Sequence, residues 1–483
     1  MESPLFLAGF ERIKGFERAM APEQMIEELK NLVDEGKVRV DEDSLQTFGK
    51  DWTKIHEPKP VAIVFPKSTE QVQSIVKFAN KHNIGLVPSG GRTGLSAGAV
   101  ATNGEIVVSF DYMNQILDFS PSDRTVKCQS GVITEQLQDY AEQQGLYYPV
   151  DFASAGSSQL GGNLSTNAGG IKVIRYGMSR DWVSGLKVVT GNGDILELNK
   201  DLEKNNTGYD IRHLFIGAEG TLGFITEATM KLTRQPTNLT VLVLGLSDLT
   251  NTMDVLQTFQ QQIDLTAYEF FSHQAMGHVL AHGDVQAPFE GEAPYYALLE
   301  FEATSDAVMD DAMALFEKCV EEGWVVDGVI SQSETQAQNL WRLREGISES
   351  IAPHTPYKND ISVVVSKVPQ FLQEIDAVVT EHYPDFEIIW FGHIGDGNLH
   401  LNILKPADLA KEEFFEKCLQ VNKWVFEIVE KYNGSVSAEH GVGLTKKDYL
   451  GYTRSAIEIE YMKGIKRVFD PNNIMNPGKV IDL

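Results

Sequence analysis

The spacing of hydrophobic residues changes along this chain and divides it into segments. Residues 1–55 are mostly polar with helical spacing, and they predict an N-terminal helical segment that includes a helix over residues 21–35. After Pro60, short apolar runs predict β-strands, at residues 61–65, 86–88, 106–110 and 186–190. Ser68–His82 predicts an amphipathic helix between the first two strands, with one apolar face that carries Val72, Ile75, Val76 and Ala79.

A second block begins after Gln235-Pro236-Thr237, which has the composition of a domain boundary. Thr240–Leu246 predicts a strand there, and Val308–Glu322 predicts a long helix. We therefore expect four parts. They are the N-terminal helical segment over 1–55, a cofactor-binding domain over 56–235, a substrate or cap domain over 236–435, and a C-terminal segment over 436–483 that completes the active site.

The composition excludes several classes of partner. The chain has 483 residues and a formal net charge of −27, so we expect no binding to nucleic acid. Its three cysteines are widely spaced, which argues against a disulfide framework, a zinc knuckle or an iron–sulfur cluster and favours a reducing compartment. No apolar run is long enough to span a bilayer, and the apolar patch at residues 5–10 is too short for a signal peptide. The sequence predicts a cytoplasmic protein without a transmembrane segment.

Glycine-rich clusters lie before Gln235, at residues 88–96, 161–170 and 217–223. Glycine lets the backbone approach a ligand closely, and consecutive N–H groups can hold a pyrophosphate. A single cluster could be a surface turn, and the first one matches neither a Walker A loop nor a G-x-G-x-x-G fingerprint. Ordering three of them costs conformational entropy, which a large polar cofactor would offset.

These clusters also carry a resemblance. The motifs P-S-G-G-R-T-G-L, G-G-N-L-S-T-N-A-G-G, I-G-A-E-G-T-L-G and a terminal N-P-G-K are similar to those of the FAD-binding oxidases and transferases of the vanillyl-alcohol-oxidase type. The resemblance covers nearly the whole chain. Within the family, the chain most resembles the branch that acts on D-2-hydroxy acids, and the shared stretches are Tyr147–Asp151 and His393–His400. It implies an α+β fold with a two-subdomain FAD-binding domain, an α+β cap domain with an antiparallel sheet, and a C-terminal segment that returns to the flavin.

The resemblance implies which residues contact FAD. Residues 88–96 would bind the pyrophosphate, and residues 161–170 and 219–225 would line the flavin and adenosine. Members with covalent FAD usually carry a histidine in the first loop, where this chain has Arg92 and Thr93, so we expect non-covalent FAD. The expected cofactor residues are Pro88, Ser89, Gly90, Gly91, Arg92, Thr93, Gly94, Leu95, Pro149, Gly161, Gly162, Asn163, Thr166, Asn167, Gly169, Gly170, Gly177, Glu219, Gly223, Ile225 and Asn476.

A histidine motif follows in the second block. His393 and His400 flank a glycine turn, and Leu399–Leu404 predicts a strand with His400 and Asn402 on one face. A second glycine-flanked motif supplies Glu439 and His440. Two imidazoles and a carboxylate suit Zn²⁺, Mn²⁺ or Fe²⁺, although isolated histidines of this spacing are more often unrelated turn residues. The resemblance implies His393, His400 and Glu439 as metal ligands, with Zn²⁺ favoured, and His440 as the catalytic base.

Cationic residues precede this motif. Arg344 and Ser348 are four residues apart in a predicted helix, and Lys358 lies before a predicted strand at 361–365. Such charges usually form a solvated surface, but Arg344 and Lys358 can also bind a carboxylate. The resemblance implies that Arg344, Ser348, Lys358, Asn402 and His440 bind substrate.

Together with these features, the resemblance implies an FAD- and metal-dependent oxidation of D-2-hydroxyglutarate to 2-oxoglutarate, with hydride passing from C2 to flavin N5 and His440 taking the hydroxyl proton. Electrons would leave to an electron-transfer flavoprotein or a quinone-linked acceptor, and a homodimer is possible. D-lactate, D-malate or glycolate could replace D-2-hydroxyglutarate as the substrate. The chain could also be a subunit that works only with iron–sulfur partners, or a non-redox flavoprotein like the ether-lipid alkyl transferases of this fold.

Overall fold

The computed structural model describes residues 21–34, 36–53, 55–283 and 285–483. The apolar patch at 5–10 lies outside them. The predicted helix over 21–35 is observed as α1 (Pro22–Leu32), and α2 (Glu42–Phe48) follows after β1 (Val38–Arg39). Asp41 caps α2 by accepting a hydrogen bond from the N–H of Ser44, at 2.9 Å.

The first sheet has four strands in the order β1-β2-β4-β3. Its other members are β2 (Ala62–Val64), β3 (Leu86–Ser89) and β4 (Ile106–Ser109), which are parallel to one another. The predicted amphipathic helix is α3 (Thr69–His82), and the side chains of its apolar face are buried against this sheet. The predicted strands and helix of this region are therefore confirmed to within one or two residues.

The second sheet has five antiparallel strands in the order β5-β6-β10-β8-β9. Part of the second glycine cluster, expected as a loop, is the short helix α5. The elements of this region are β5 (Ile116–Ser120), β6 (Thr125–Gln129), α4 (Thr134–Gln143), β7 (Leu146–Tyr147), α5 (Leu160–Thr166), α6 (Val173–Tyr176), β8 (Val183–Thr190), β9 (Ile195–Leu198), α7 (Arg212–Phe215), β10 (Gly223–Lys231) and β11 (Thr233–Arg234), which pairs with β7.

The third sheet is the largest and has seven antiparallel strands in the order β15-β12-β14-β13-β17-β18-β16. Its elements are β12 (Leu239–Leu246), α8 (Asn251–Gln260), β13 (Leu265–Ser272), α9 (His273–His282), β14 (Tyr295–Glu302), α10 (Asp306–Glu321), β15 (Val325–Ile330), α11 (Glu334–Glu345), α12 (Ile347–Ser350), β16 (Tyr357–Ser362), α13 (Val368–His382), β17 (Glu387–Gly392), β18 (Asn398–Leu404) and α14 (Lys411–Lys431).

The two faces of this sheet differ. One face packs into a large apolar core with α8, α10, α13 and α14, where Phe270, Leu299 and Leu401 are fully buried. The opposite face packs against α9, α11 and α12. Toward β16 and β18 that second face carries polar side chains. Antiparallel sheets often bury one face and leave the other for polar groups, and here the polar part becomes a site.

The end of the chain returns to the first two sheets. After α15 (Ala456–Phe469), Met475 forms a parallel bridge with Leu86, and buried Lys466 donates to the carbonyls of Met475 at 3.0 Å and Thr221 at 2.8 Å. Short 3₁₀ helices occur at Ser179–Trp182, Ala352–His354, Val365–Lys367 and Lys447–Tyr452. In the part of the chain described, no helix has the length and apolar character needed to cross a bilayer.

Candidate active site

A cavity lies among the glycine-rich clusters, and its volume is about 890 Å³ when the space at its open entrance is included. It borders both smaller sheets, because Pro88 lies in β3 and Gly223 begins β10. The predicted cofactor residues that line it are Pro88, Gly90, Gly91, Arg92, Thr93, Gly94, Gly161, Gly162, Asn163, Thr166, Glu219, Gly223 and Ile225.

The cavity fits a large polar cofactor. Ser130 Oγ and Gln159 Oε1 border it and are buried without a hydrogen-bond partner, which is costly unless a ligand supplies one. A Cβ atom added at Gly162 would enter open space, so the cofactor can approach the backbone there. The described residues that border the cavity include no histidine, cysteine or tyrosine that could bond the flavin covalently.

Other predicted cofactor residues do not border this cavity. They are Ser89, Leu95, Pro149, Asn167, Gly169, Gly170, Gly177 and Asn476. Asn476 instead donates from Nδ2 to the carbonyls of Gly98 at 2.8 Å and Glu219 at 2.7 Å, and so fixes the chain end against the cavity. Ser96, Ser165, Gly220 and Phe224 line the cavity from within the ranges predicted to contact FAD. The members of the cavity that lie outside those ranges, and that the sequence did not indicate, are Asp51, Gly98, Ala99, Phe110, Ser130 and Gln159.

The third sheet collects the candidate catalytic residues on one face. In the pairing of β16 with β18, Lys358 is opposite Asn402 and Asp360 is opposite His400. Residues two apart on a strand share a face, so these four side chains project together. The predicted shared face of His400 and Asn402 is confirmed. Lys358 does not precede a strand over 361–365 as expected; it lies inside β16, which ends at Ser362.

The carboxylate of Glu439 lies among three imidazoles. Its Oε1 atom is 3.7 Å from His393 Nε2, 3.7 Å from His400 Nε2 and 3.8 Å from His440 Nε2. The turn between β17 and β18 places the rings of His393 and His400 at a centroid distance of 5.3 Å, as expected. Ligand atoms in a tetrahedral zinc site are about 3.4 Å apart for bonds of about 2.1 Å. Each of the three distances from Glu439 Oε1 is therefore slightly longer than the separation between two ligands of one ion.

Asp360 holds this group in place from the other side, and the sequence analysis assigned it no role. Its Oδ2 accepts hydrogen bonds from the N–H groups of Glu439 at 2.9 Å and His440 at 3.0 Å. Its carboxylate lies 3.7 Å from His400 Nδ1 and 3.6 Å from His440 Nδ1. Asp360, His400, Glu439 and His440 also have donor atoms within 4.8 Å of one another. Because Asp360 already accepts these bonds, it suits orienting the imidazoles better than binding a cation.

Burial and neighbouring charges set the protonation of this group. Burial lowers the pKa of His400 to about 3, against the opposing effect of Glu439. Burial would raise the pKa of Glu439, but His393 and His400 lower it to about 2. For Asp360, burial likewise opposes ionisation, yet His440 and Lys446 hold its pKa well below the usual range. His400 and Glu439 therefore have the neutral and ionised forms that bind a metal. Burial would lower the pKa of His393, but Glu269 and Glu439 raise it well above the usual value.

The loop that carries Glu439 and His440 also touches the cofactor cavity. Glu219, which borders the cavity, accepts hydrogen bonds from the N–H groups of Val442 at 2.6 Å and Gly443 at 2.9 Å. Burial raises the pKa of Glu219 to about 7. On the other side of the site, a Cβ added to Gly169 would lie 3.8 Å from Glu439 Oε2. The glycine clusters and the imidazole group therefore form adjoining parts of one site.

The predicted substrate residues Arg344, Ser348 and Lys358 differ in their burial. Arg344 is buried, with its guanidinium 4.7 Å above the ring of Phe391. Ser348 is exposed and lies in α12, whereas Arg344 lies in α11, so the single helix predicted to carry both residues is wrong. Gly346 forms the junction between the two helices with helical φ −70° and ψ −10°. Lys358 is exposed near the edge of the sheet.

Glu269 is a further buried residue that the sequence analysis missed. It lies on β13 within a run of buried side chains and is 1% exposed. His393 Nδ1 donates to its carboxylate at 2.8 and 2.9 Å, and Arg344 Nε lies 2.8 Å from its Oε2 atom without the alignment of a hydrogen bond. A lone glutamate inside an apolar strand was the available signal, because such a charge requires partners.

A glycine-lined cofactor cavity beside a domain with an antiparallel sheet is the arrangement expected of an FAD-binding oxidase. The chain belongs to the family of FAD-linked oxidases. Residues 235–480 match the family model described as FAD linked oxidases, C-terminal domain, and residues 60–199 match the FAD binding domain. The predicted α+β fold of the vanillyl-alcohol-oxidase type is confirmed, and p-cresol methylhydroxylase with substrate bound has the same fold, with a TM-score of 0.74 at 17% identity over 95% of this chain and 97% of that one. The chain is an FAD-dependent oxidoreductase.

Comparison with individual relatives shows which members of the family the chain is similar to. The chain is 70% identical to D-2-hydroxyglutarate dehydrogenase of Stutzerimonas stutzeri (strain A1501), over 95% of this chain and 99% of that protein. It is 54% identical to D-2-hydroxyglutarate dehydrogenase of Xanthomonas citri pv. viticola, over 91% of this chain and 93% of that protein. It is also 36% identical to a putative mitochondrial D-lactate dehydrogenase of Schizosaccharomyces pombe, over 93% and 87%. The resemblance to bacterial D-2-hydroxyglutarate dehydrogenase is thus confirmed.

Proposed function

We propose that this protein oxidises D-2-hydroxyglutarate to 2-oxoglutarate with FAD and one divalent metal ion. One observation carries the proposal: the Glu439 carboxylate lies 3.7–3.8 Å from the Nε2 atoms of three imidazoles, next to the cofactor cavity. The names of the two most similar relatives reported above support the choice of substrate.

FAD would occupy the cavity formed by the glycine clusters. When bound, it supplies a hydride acceptor at flavin N5 for the hydrogen on C2 of the substrate. The chain would contribute backbone N–H groups of residues 90–94 for the pyrophosphate, and the free oxygens of Ser130 and Gln159 for polar contacts. We propose that the FAD is not covalently bound.

His393, His400 and Glu439 would hold the metal, with Zn²⁺ favoured over Mn²⁺ or Fe²⁺. The ion would lower the pKa of the substrate hydroxyl, as it does for bound water. The chain orients these ligands beforehand: Glu269 holds His393 through Nδ1, and Asp360 lies beside Nδ1 of His400. In both cases Nε2 is left to face Glu439. Such outer partners fix the tautomer and ring orientation of metal-binding histidines.

His440 would remove the proton of the substrate hydroxyl at Nε2. Its Nδ1 faces the ionised Asp360 at 3.6 Å, which would stabilise the imidazolium formed by the transfer. The side chain of His440 is 25% exposed, more than that of His393 or His400, so a substrate can reach it. Because His440 Nε2 is also within 3.8 Å of Glu439, the metal content of a His440 variant distinguishes a base from a ligand.

The substrate's second carboxylate would bind to Arg344, with Lys358, Ser348 and Asn402 nearby in the cap. D-lactate is the alternative substrate, since one relative is named as a putative D-lactate dehydrogenase. Steady-state rates of the purified enzyme with a dye acceptor, on D-2-hydroxyglutarate, D-malate, D-lactate and glycolate, test the choice. We expect the highest kcat/KM on D-2-hydroxyglutarate. A higher value on D-lactate would overturn the substrate assignment.

The remaining predictions concern the cell. We propose that electrons leave the reduced flavin to an electron-transfer flavoprotein or a quinone-linked acceptor, and that the enzyme works in the cytoplasm.

A further inference from the structure

We propose that Glu269 is a positioning residue that orients both His393 in the metal site and Arg344 in the substrate-carboxylate site. This inference rests on the proposed function. His393 and Arg344 would bind opposite ends of a hydroxy acid with two carboxylates, and one buried carboxylate would orient both of them.

The location of Glu269 follows from strand register. Phe271 on β13 is opposite Phe391 on β17, and Phe391 is opposite His400 on β18. Glu269, two residues before Phe271, therefore lies on the same face as the imidazole group. Its neighbours along β13 are buried, so water cannot satisfy its carboxylate. The protein must supply its hydrogen bonds.

The first partner of Glu269 is His393. Both carboxylate oxygens lie within 2.8–2.9 Å of His393 Nδ1, so Nδ1 donates to Glu269 and Nε2 is the ring nitrogen that faces Glu439. Nε2 in turn lies 3.7 Å from Glu439 Oε1. Glu269 thereby selects the tautomer in which His393 can bind a cation beside Glu439.

The second partner is Arg344. Its Nε lies 2.8 Å from Glu269 Oε2, and its guanidinium lies 4.7 Å above the ring of Phe391. These two contacts fix the plane of the guanidinium. Within the residues that the structure describes, no hydrogen bond engages its two terminal nitrogens. They remain free for a fork-like contact with a ligand carboxylate.

Glu300 provides a matched control. On the neighbouring strand β14 it is opposite Ala267, hence on the same sheet face as Glu269, and it is 3% exposed. Its partners are different: Lys172 forms an ion pair with it, Thr266 donates to it at 2.6 Å, and Trp341 donates to it at 2.8 Å. Loss of its charge tests the general cost of altering a buried carboxylate on this face.

The experiment compares Glu269→Gln and Glu300→Gln in the holoenzyme. Zn²⁺ affinity is measured by competition with a chromogenic chelator, and thermal stability is measured in parallel. Partners of metal-ligand histidines typically contribute 10- to 100-fold in metal affinity. We expect a loss of roughly that size for Glu269→Gln and a change of less than about 3-fold for Glu300→Gln. Equal Zn²⁺ affinity in both variants would overturn the inference.

The substrate end has a separate readout. At saturating Zn²⁺, we expect Glu269→Gln to lower the ratio of kcat/KM for D-2-hydroxyglutarate over D-lactate by about 10-fold, whereas Glu300→Gln leaves the ratio unchanged. Adding Glu269→Gln to Arg344→Ala should lower the ratio no further. An additive effect would refute the coupling through Arg344. If Glu269→Gln fails to fold, Glu269→Asp keeps the charge with a shorter reach, and the same losses are expected of it.

Failure of the proposed function gives a different result. A wild-type enzyme that binds no Zn²⁺, Mn²⁺ or Fe²⁺ would overturn the metal site itself, and this inference with it. A wild-type enzyme that binds metal while Glu269→Gln binds it equally well would overturn only the role of Glu269.

Discussion

At the scale of single residues, we expect Arg344 to determine which length of hydroxy acid the enzyme prefers. D-lactate and D-2-hydroxyglutarate offer the metal the same chelating end, so only the far carboxylate can distinguish them. A charge-assisted contact is worth about 1.5–3 kcal/mol, and each 1.4 kcal/mol is about tenfold. Arg344→Ala should lower kcat/KM for D-2-hydroxyglutarate roughly 10- to 100-fold and affect D-lactate far less. Equal losses on both substrates would show that Arg344 serves the common end or the fold.

His440 gives a second prediction at this scale. A positioned base typically contributes about 10²- to 10⁴-fold. His440→Asn should slow reduction of the flavin by substrate to that extent, while the metal content stays at one ion per chain, because His393, His400 and Glu439 remain. Stopped-flow absorbance and elemental analysis measure the two quantities. A variant that loses its metal would show that His440 is a ligand.

The sequence identified the histidines and Glu439 because glycine-flanked motifs and the family resemblance marked them. No motif marked Asp360 or Glu269, although both contact this group, and the only signal for Glu269 was its charge within an apolar strand. Each is one charged residue in a strand, and its partners lie far away along the chain, 80 residues for Asp360 with His440 and 124 residues for Glu269 with His393. Only the strand register brings them together.

At the scale of elements, α5 shows how a glycine cluster makes room for a cofactor. A Cβ atom added at Gly162 or at Gly277 in α9 would meet nothing within 4 Å. Gly162 borders the cofactor cavity and Gly277 does not, so only a side chain at Gly162 would occupy the space of the cofactor. Gly162→Leu should therefore yield folded protein with little bound FAD, and Gly277→Leu should retain it. The ratio of flavin absorbance to protein absorbance measures occupancy. Full occupancy in Gly162→Leu would place the cofactor elsewhere.

Elements with a clear period were predictable, but the point at which one helix gives way to the next was not. The apolar spacing of α3 and the alternation of β18 predicted both elements almost to the residue. The helix that carries Arg344 was expected to continue through Ser348, yet α11 ends at Glu345 and Ser348 lies in α12. Spacing along one helix does not show what packs against it, so the sequence could not indicate that Arg344 would be buried and Ser348 exposed.

At the scale of the whole molecule, FAD should be bound tightly but not covalently. The cavity is enclosed by parts of both smaller sheets, and its described residues offer no nucleophilic histidine, cysteine or tyrosine. Acid precipitation of the purified protein should release the flavin into the supernatant, which absorbance at visible wavelengths detects. Yellow colour that stays with the denatured pellet would contradict non-covalent binding.

We propose that one divalent ion at His393, His400 and Glu439 is required for a D-2-hydroxy acid to reduce the flavin. Anaerobic mixing of the enzyme with D-2-hydroxyglutarate, before and after removal of metal by a chelator, measures this requirement. We predict that the untreated enzyme bleaches its flavin, that the chelated enzyme keeps an oxidised flavin spectrum, and that Zn²⁺ or Mn²⁺ restores the bleaching. Full-rate bleaching in enzyme shown by elemental analysis to contain no metal would contradict the account.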